Sequence, residues 1–153
     1  MDIEGFRDWA NGVSPAEFER AVREIHEAAG WKVEAAEEAV RVDFHLTQPR
    51  RYRVLSVRRW NGHESTAVGS AAVQEIAGAA LEQGATEAAV VSSGPGSVEA
   101  RTTARRISHQ SGLNAEAVSV DDLHGYVQRN ELESVLADFP TSSAIDTAGA
   151  FEG

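Results

Sequence analysis

The residues best placed to do chemistry fall in two short stretches. VRVDFHL, residues 40–46, carries Asp43 in an alternating apolar pattern, and RYRVLSVRRW, residues 51–60, carries Ser56, Arg58 and Arg59. Both stretches read as β-strands, joined by a turn at Gln48 and Pro49. Residues two apart on a strand point to the same face, so Ser56 and Arg58 share one. Asp43 on a paired strand would face them. A carboxylate opposite such a pair is a compact place to hold a divalent cation or a phosphate. A phosphodiester hydrolase of this design needs carboxylates to bind Mg2+ and a cation to organise the attacking water. Asp43 supplies one hard oxygen ligand. Ser56 supplies only a neutral hydroxyl. Arg58 keeps a positive charge, but a guanidinium holds its proton in proteins and cannot act as a base. It can still hold a phosphate through its bidentate fork. These residue types therefore suit gripping phosphate better than cutting it. An ordinary ion pair between Asp43 and a nearby arginine is the alternative reading.

Arginine is concentrated around this site. Arg50, Arg51, Arg53, Arg58 and Arg59 fall in one acid-free segment, and Arg101, Arg105 and Arg106 form a second group. A local basic patch can hold phosphate even on an acidic chain, although solvated strand ends and helix faces give the same pattern. The chain as a whole is acidic, with 24 Asp and Glu against 14 Lys and Arg and a formal charge of -10. Its sole lysine is Lys32. Acid excess with almost no lysine suits molar salt, as in halophilic archaea, where a Debye length near 3 Å screens self-repulsion. A GC-rich genome explains arginine in place of lysine but not the acid excess.

The elements that must position these residues follow from periodicity and caps. Residues 1–13 are expected as a lead-in pinned by Phe6 and Trp9. Ser14 caps a helix with Pro15 in its first turn, Glu17 completing a capping box, and Phe18, Ala21, Val22 and Ile25 as an apolar stripe ended by Gly30. Strands follow at 31–35, 40–46 and 51–60. A helix is expected at 70–84 with Val73, Ile76, Ala77, Ala80 and Leu81 inward. A buried parallel strand is expected at 86–93, a helix capped by Ser97 at 98–112, and a strand at 115–120. The segment 121–139 is expected to be helical with interruptions near Gly125 and Asn130. The domain is placed at 14–137 and a disordered acidic tail at 138–153. With 153 residues, one domain is expected. The chain has no cysteine, so disulfides and thiolate metal sites are excluded. No apolar run is long enough to cross a membrane and no secretory leader is visible, so a cytoplasmic location is expected.

The run from Ser14 to about Val127 resembles the Mrr-like restriction endonuclease domain, a branch of the restriction-endonuclease-like fold. The landmarks are SPAEFERAV, GWKV, VDF, YRVLSVRRW, VGSAAVQEIAGAALEQGATEAAVVSSG, SVEARTTA and VSVDDL, in that order. The resemblance implies a three-layer α/β/α fold with a central mixed sheet and element order αβββαβαβα. It places the family's metal-binding Asp on Asp43, its Gln or Glu on Ser56 and its Lys on Arg58. An acidic residue of the first helix falls on Glu19, and a polar position of the helix after the third strand falls on Gln74. An acid and a glycine often precede the metal-binding Asp, and Ala39 and Arg41 stand there in this chain. The implied cofactor is Mg2+ and the implied partner is DNA, with Arg51, Arg53, Arg59 and Gln74 as added contacts. A homodimer and a separate target-recognition partner are both compatible with one domain.

Three functions stay open on this reading. They are a DNA-binding domain with a degenerate Asp43…Ser56-x-Arg58 motif, an active Mg2+-dependent endonuclease in which Glu19 compensates for Ser56, and a non-catalytic protein-interaction domain. The remaining features are expected to be structural. His26, His45, His63, His109 and His124 lack metal-ligand spacing. SSGPGS is expected as a strand-to-helix turn without a P-loop lysine, and Trp31 and Trp60 as packing residues.

Overall fold

Local signals set most of the helix ends. The Ser14 hydroxyl accepts a hydrogen bond from the Glu17 amide at 3.1 Å, with Pro15 in the first turn where its missing N–H costs nothing. Ser97 caps the next long helix in the same way, taking the Ala100 amide at 3.2 Å. Ser119 and Asp122 form a full reciprocal capping box. Gly84 and Gly112 end their helices in the left-handed region, at φ of 73° and 75°, where a side chain is unfavourable.

The computed structural model describes residues 1–36, 42–60, 62 and 68–140. The elements are α1 (Ile3–Gly12), α2 (Pro15–Ala28), β1 (Lys32–Ala35), β2 (Phe44–Gln48), β3 (Arg51–Arg58), α3 (Ser70–Gln83), β4 (Glu87–Ser92), α4 (Val98–Ser111), β5 (Asn114–Val118), α5 (Val120–Arg129) and α6 (Glu133–Leu136). The sheet runs β1-β2-β3-β4-β5. Its first three strands are antiparallel neighbours, and β3, β4 and β5 run parallel. This is the mixed α/β architecture expected of a restriction-endonuclease-like fold.

Strand alternation divides the core between the two faces of the sheet. Leu55, Ala89 and Val91 join α1, α2, α5 and α6 in one apolar cluster. Val54, Ala88 and Val90 join α3 in another, and α4 adds Ala100 and Ala104 on that same side. Every residue of β4 is buried, as a central parallel strand covered on both faces requires. In α2, Phe18, Val22 and Ile25 are fully buried, each stabilising the fold by roughly 1.5–3 kcal/mol relative to exposure.

Several expectations are corrected. The lead-in at residues 1–13 is itself a helix, α1, capped by Asp2, and Phe6 and Trp9 pin it in the core as expected, together with Ala10. The folded unit also extends past residue 137, since Phe139 is buried and its carbonyl accepts the Trp9 indole N–H at 2.8 Å. Gly125 interrupts nothing and lies inside α5; the break falls after Arg129, where Glu131 has a φ of 55°. Leu81 is 60 % exposed rather than inward, because the stripe of Val73, Ile76, Ala77 and Ala80 already meets the sheet. Val42 packs on the α3 side while Phe44 and Leu46 pack on the α2 side, so the alternation does not extend back through residue 42. The turn is made by Pro49 and Arg50, the latter at a φ of 66°. The tail at 141–153, and Ala39 and Arg41, lie outside the described residues.

Candidate active site at one end of strand β3

The antiparallel register pairs Phe44 with Leu55. The paired register ends there, and the Asp43 amide also donates to the Leu55 carbonyl, at 2.8 Å. Among the described residues the Asp43 carboxylate meets no arginine. Its Oδ2 accepts the Val57 backbone N–H at 2.7 Å, which fixes the carboxylate at the mouth of the β2–β3 pair. Ser56 is buried, and its hydroxyl accepts from Arg58 Nε at 3.1 Å. Arg58 reaches over α3, where its Nη2 lies 3.6 Å from Glu75 Oε2 with both side chains partly exposed. Glu19 arrives from α2, and its carboxyl is pushed above the usual range, first by burial and then by the charge of Asp43. The structure thus sets Glu19 within reach of the Asp43 charge and Ser56 against Arg58.

Glu75 was missed. It neighbours Gln74, the residue singled out on α3, but Gln74 is exposed while Glu75 is half-buried and carries the contact to Arg58. The available signal was a carboxylate on the flank of the α3 apolar stripe. Glu75 meets Arg58 on the α3 side of the sheet, whereas Glu19 comes from α2 and feels the charge of Asp43. Mg2+ commonly takes one or two protein carboxylates and completes its shell with water and phosphate oxygens. Asp43 and Glu19 are such a pair, so the donor set fits a hydrated ion. Among the described residues no group of three or more His, Cys, Asp or Glu is placed to ligate a metal, so an all-protein cage is not what the site offers.

The other candidate arginines are engaged elsewhere. Arg51 forks onto Glu87, with Nε to Oε2 at 2.7 Å and Nη2 to Oε1 at 2.7 Å. Arg53 shares the same carboxylate, with Nη2 to Oε1 at 2.7 Å. Both guanidiniums lie over the Trp31 ring, 4.4 and 5.0 Å from its centroid. Arg51's hydrogen bonds, with those of Arg53, hold the Glu87 carboxyl below its usual range. This cluster sits at the opposite end of β3 from Arg58, roughly 23 Å along the strand at about 3.3 Å per residue. Arg59 turns inward. Its Nη groups donate to the backbone carbonyls of Asn11, Val13 and Trp60, and its Nε is buried with no partner among the described residues. Of the four added contacts expected on DNA, only Gln74 is exposed without such a commitment.

His45 pairs with Tyr52, its Nδ1 lying 2.8 Å from the Tyr52 hydroxyl. Trp31 is buried, and Trp60 is half-buried.

No helix of the described residues is long and apolar enough to cross a membrane. Neither the curated proteins nor the solved structures compared with the chain gave a match. The family model for the Mrr catalytic domain, described as a restriction endonuclease, matches residues 10–132. That span takes in every residue of the site above, from Glu19 through Asp43 to Glu75, and the chain belongs to the Mrr-type restriction endonuclease family.

Proposed function

We propose that this domain engages DNA through a divalent cation held by Asp43 and Glu19, and that its hydrolysis of the phosphodiester is impaired. The observation that carries the reading is the Asp43 carboxylate, fixed by the Val57 amide and close enough to Glu19 for their charges to interact, at the end of β3 that carries Arg58. Two neighbouring carboxylates repel a bare phosphate, and a dication reverses that sign. When bound, Mg2+ supplies charge stabilisation of phosphoryl oxygens and lowers the pKa of a water ligand. The chain's own residues do the rest. The Val57 amide orients Asp43. Arg58 is steered by Ser56 and Glu75 and presents its remaining N–H groups as donors to a phosphate oxygen. Impairment follows from residue chemistry, because Ser56 adds no charged ligand and Arg58 takes no proton at neutral pH.

A second reading, a competent endonuclease, is favoured by Glu19. A carboxyl raised by burial and a like charge is better poised to accept a proton from water than an ordinary one. A non-catalytic protein-interaction domain is the third. Cutting both strands would call for a homodimer or a separate target-recognition partner.

The test is cleavage of supercoiled plasmid, methylated and unmethylated, in high KCl with Mg2+ or Mn2+, beside a gel shift with and without EDTA. The proposal expects an EDTA-sensitive shift with slow nicking at most, and Asp43→Ala weakening metal-dependent binding by about a hundredfold. Rapid cutting that Asp43→Ala and Glu19→Gln both abolish would establish the second reading. No shift at any salt would establish the third.

A further inference from the structure

We infer that the cavity at the carboxyl ends of β3, β4 and β5 receives a single unstacked nucleobase from the DNA engaged beside it. The inference rests on the DNA-binding reading above and names what a second, separate pocket would recognise. The cavity has a volume of about 330 Å³ and is lined by Arg7, Asn11, Trp60, Gly94, Gly96 and Asp121 among others. It adjoins the Arg58 end of β3. The Ser93 amide donates to the Arg58 carbonyl at 3.1 Å, and the Trp60 amide donates to the Ser93 hydroxyl at 2.7 Å.

The pocket is built rather than incidental. A Cβ on Gly94 would lie 2.5 Å from Trp60 Cγ and 2.9 Å from Cδ2, so only glycine lets the indole descend onto the loop. A Cβ on Gly96 would lie 2.5 Å from an Arg101 guanidinium nitrogen. The GPG sequence is thus a floor on which an aromatic and a guanidinium rest. Arg59 ties the wall to the rim, since it donates to the carbonyls of both Asn11 and Trp60.

The chemistry of the rim selects the ligand class. Arg7 forks onto Asp121, with Nε to Oδ1 at 2.9 Å and Nη2 to Oδ2 at 2.6 Å, and Asn11 Nδ2 donates to the Arg7 carbonyl at 2.9 Å. Arg101 lies 3.9 Å from Asp122. Each arginine is matched by an aspartate, so the cavity holds no surplus positive charge for a phosphate. What remains is an apolar floor, an indole wall, and donors and acceptors side by side. Arg7 Nη1 is left to donate among the described residues, and the Asp121 oxygens keep lone pairs. A flat, neutral ring with alternating donors and acceptors at its edge is a nucleobase. Guanidinium, amide and carboxylate groups are the ones that pair with base edges, and a base reaches such a pocket only when unstacked.

Fluorescence anisotropy in Mg2+ and high KCl tests this with three labelled oligonucleotides of one sequence: a fully paired duplex, the same duplex with one unpaired base, and the single strand. The unpaired-base duplex is expected to bind roughly tenfold tighter than the paired one, the magnitude of one stacked base. Trp60→Leu is expected to remove that ratio. Because Trp60 packs on Gly94 and its loss threatens the loop, Asp121→Asn serves as a second variant. It lowers the ratio while removing a negative charge, which raises affinity for any DNA, so only a specific pocket moves the ratio down. Equal, measurable affinity for paired and unpaired duplexes would overturn the pocket and leave the DNA reading standing. So would a ratio that survives in both variants. No affinity for any oligonucleotide would overturn the DNA reading and the pocket with it.

Discussion

The two ends of β3 hold similar residues and treat their charges in opposite ways. At the amino end, Arg51 and Arg53 converge on Glu87, whose carboxylate takes four N–H donors while both guanidiniums lie over Trp31. Glu87 and Arg53 are nearly buried there, with side chains 9 % and 12 % exposed. At the carboxyl end, Asp43 and Glu19 lie close enough for their like charges to interact, and the Arg58–Glu75 contact is long and partly exposed. The first cluster satisfies every polar group it buries and contributes to the fold. The second leaves like charges facing one another and Glu19 perturbed by its neighbour, a pattern that marks functional sites more often than structural ones.

The sharpest way to break that contrast is to remove Glu87. Glu87→Ala leaves Arg53 buried without its counter-charge, and stability is expected to fall by about 3–5 kcal/mol in urea unfolding. Replacing Arg53 by Met in the same chain is expected to recover part of the loss, because the stranded cation is gone. A loss under about 1 kcal/mol, the value of an exposed pair, would show that the two ends of β3 do not differ as described.

His26 sharpens the comparison through pH. It stacks on Tyr126 at 5.3 Å, its Nδ1 bonds the Val22 carbonyl at 2.7 Å, and it lines a cavity with Arg53. Burial, reinforced by the charge of Arg53, lowers its pKa from 6.5 to about 4, against the weaker opposing pull of the Val22 carbonyl. The unfolded chain therefore takes up a proton that the folded chain refuses. The stability this confers is complete above pH 6.5 and is lost as pH falls towards 4, by up to about 3 kcal/mol at 1.36 kcal/mol per unit. Glu87 acts lower on the scale: its depressed carboxyl contributes stability above the ordinary value of 4.5 that is lost as pH falls further. His26→Leu is expected to flatten the denaturation profile between pH 6.5 and 4 and to leave the steeper loss below 4.5. A profile unchanged between 6.5 and 4 would mean that His26 is solvated.

Most of the architecture was legible because it is written locally. Ser14, Ser97 and Gly84 announce helix ends by their own chemistry, and the unbroken apolar run of β4 announces a strand covered on both faces. The lead-in was misread because α1 carries few apolar residues, and its place in the core is set by contacts with α5 and Phe139 far along the chain. The site divided in the same manner. Asp43, Ser56 and Arg58 follow from strand spacing and Glu19 from resemblance. The fates of the arginines do not follow from either. Arg51 and Arg53 looked like free cations in an acid-free segment, but their partner Glu87 lies across a parallel pairing that only the crossover through α3 creates. Arg59 looked like a phosphate contact and instead caps the carbonyls at the end of α1, an element that periodicity did not reveal.

The smallest expected effect is the most telling about function. If the carboxyl end of β3 is held for chemistry and not for stability, relieving its charge should help the fold. Asp43→Asn keeps an oxygen for the Val57 amide while removing one of the two carboxylates that face each other. It is expected to stabilise the protein by a few tenths of a kcal/mol to about 1 kcal/mol at low salt. The gain should shrink in 1 M KCl, where charges more than about 3 Å apart are screened. Adding Mg2+ should reverse the order, because the ion stabilises only the chain that binds it. Thermal melts of both proteins, with and without Mg2+ at two KCl concentrations, decide the matter. A variant less stable than the parent at low salt, with no response of the parent to Mg2+, would make Asp43 a structural acid like Glu87, and the difference between the two ends of β3 would vanish.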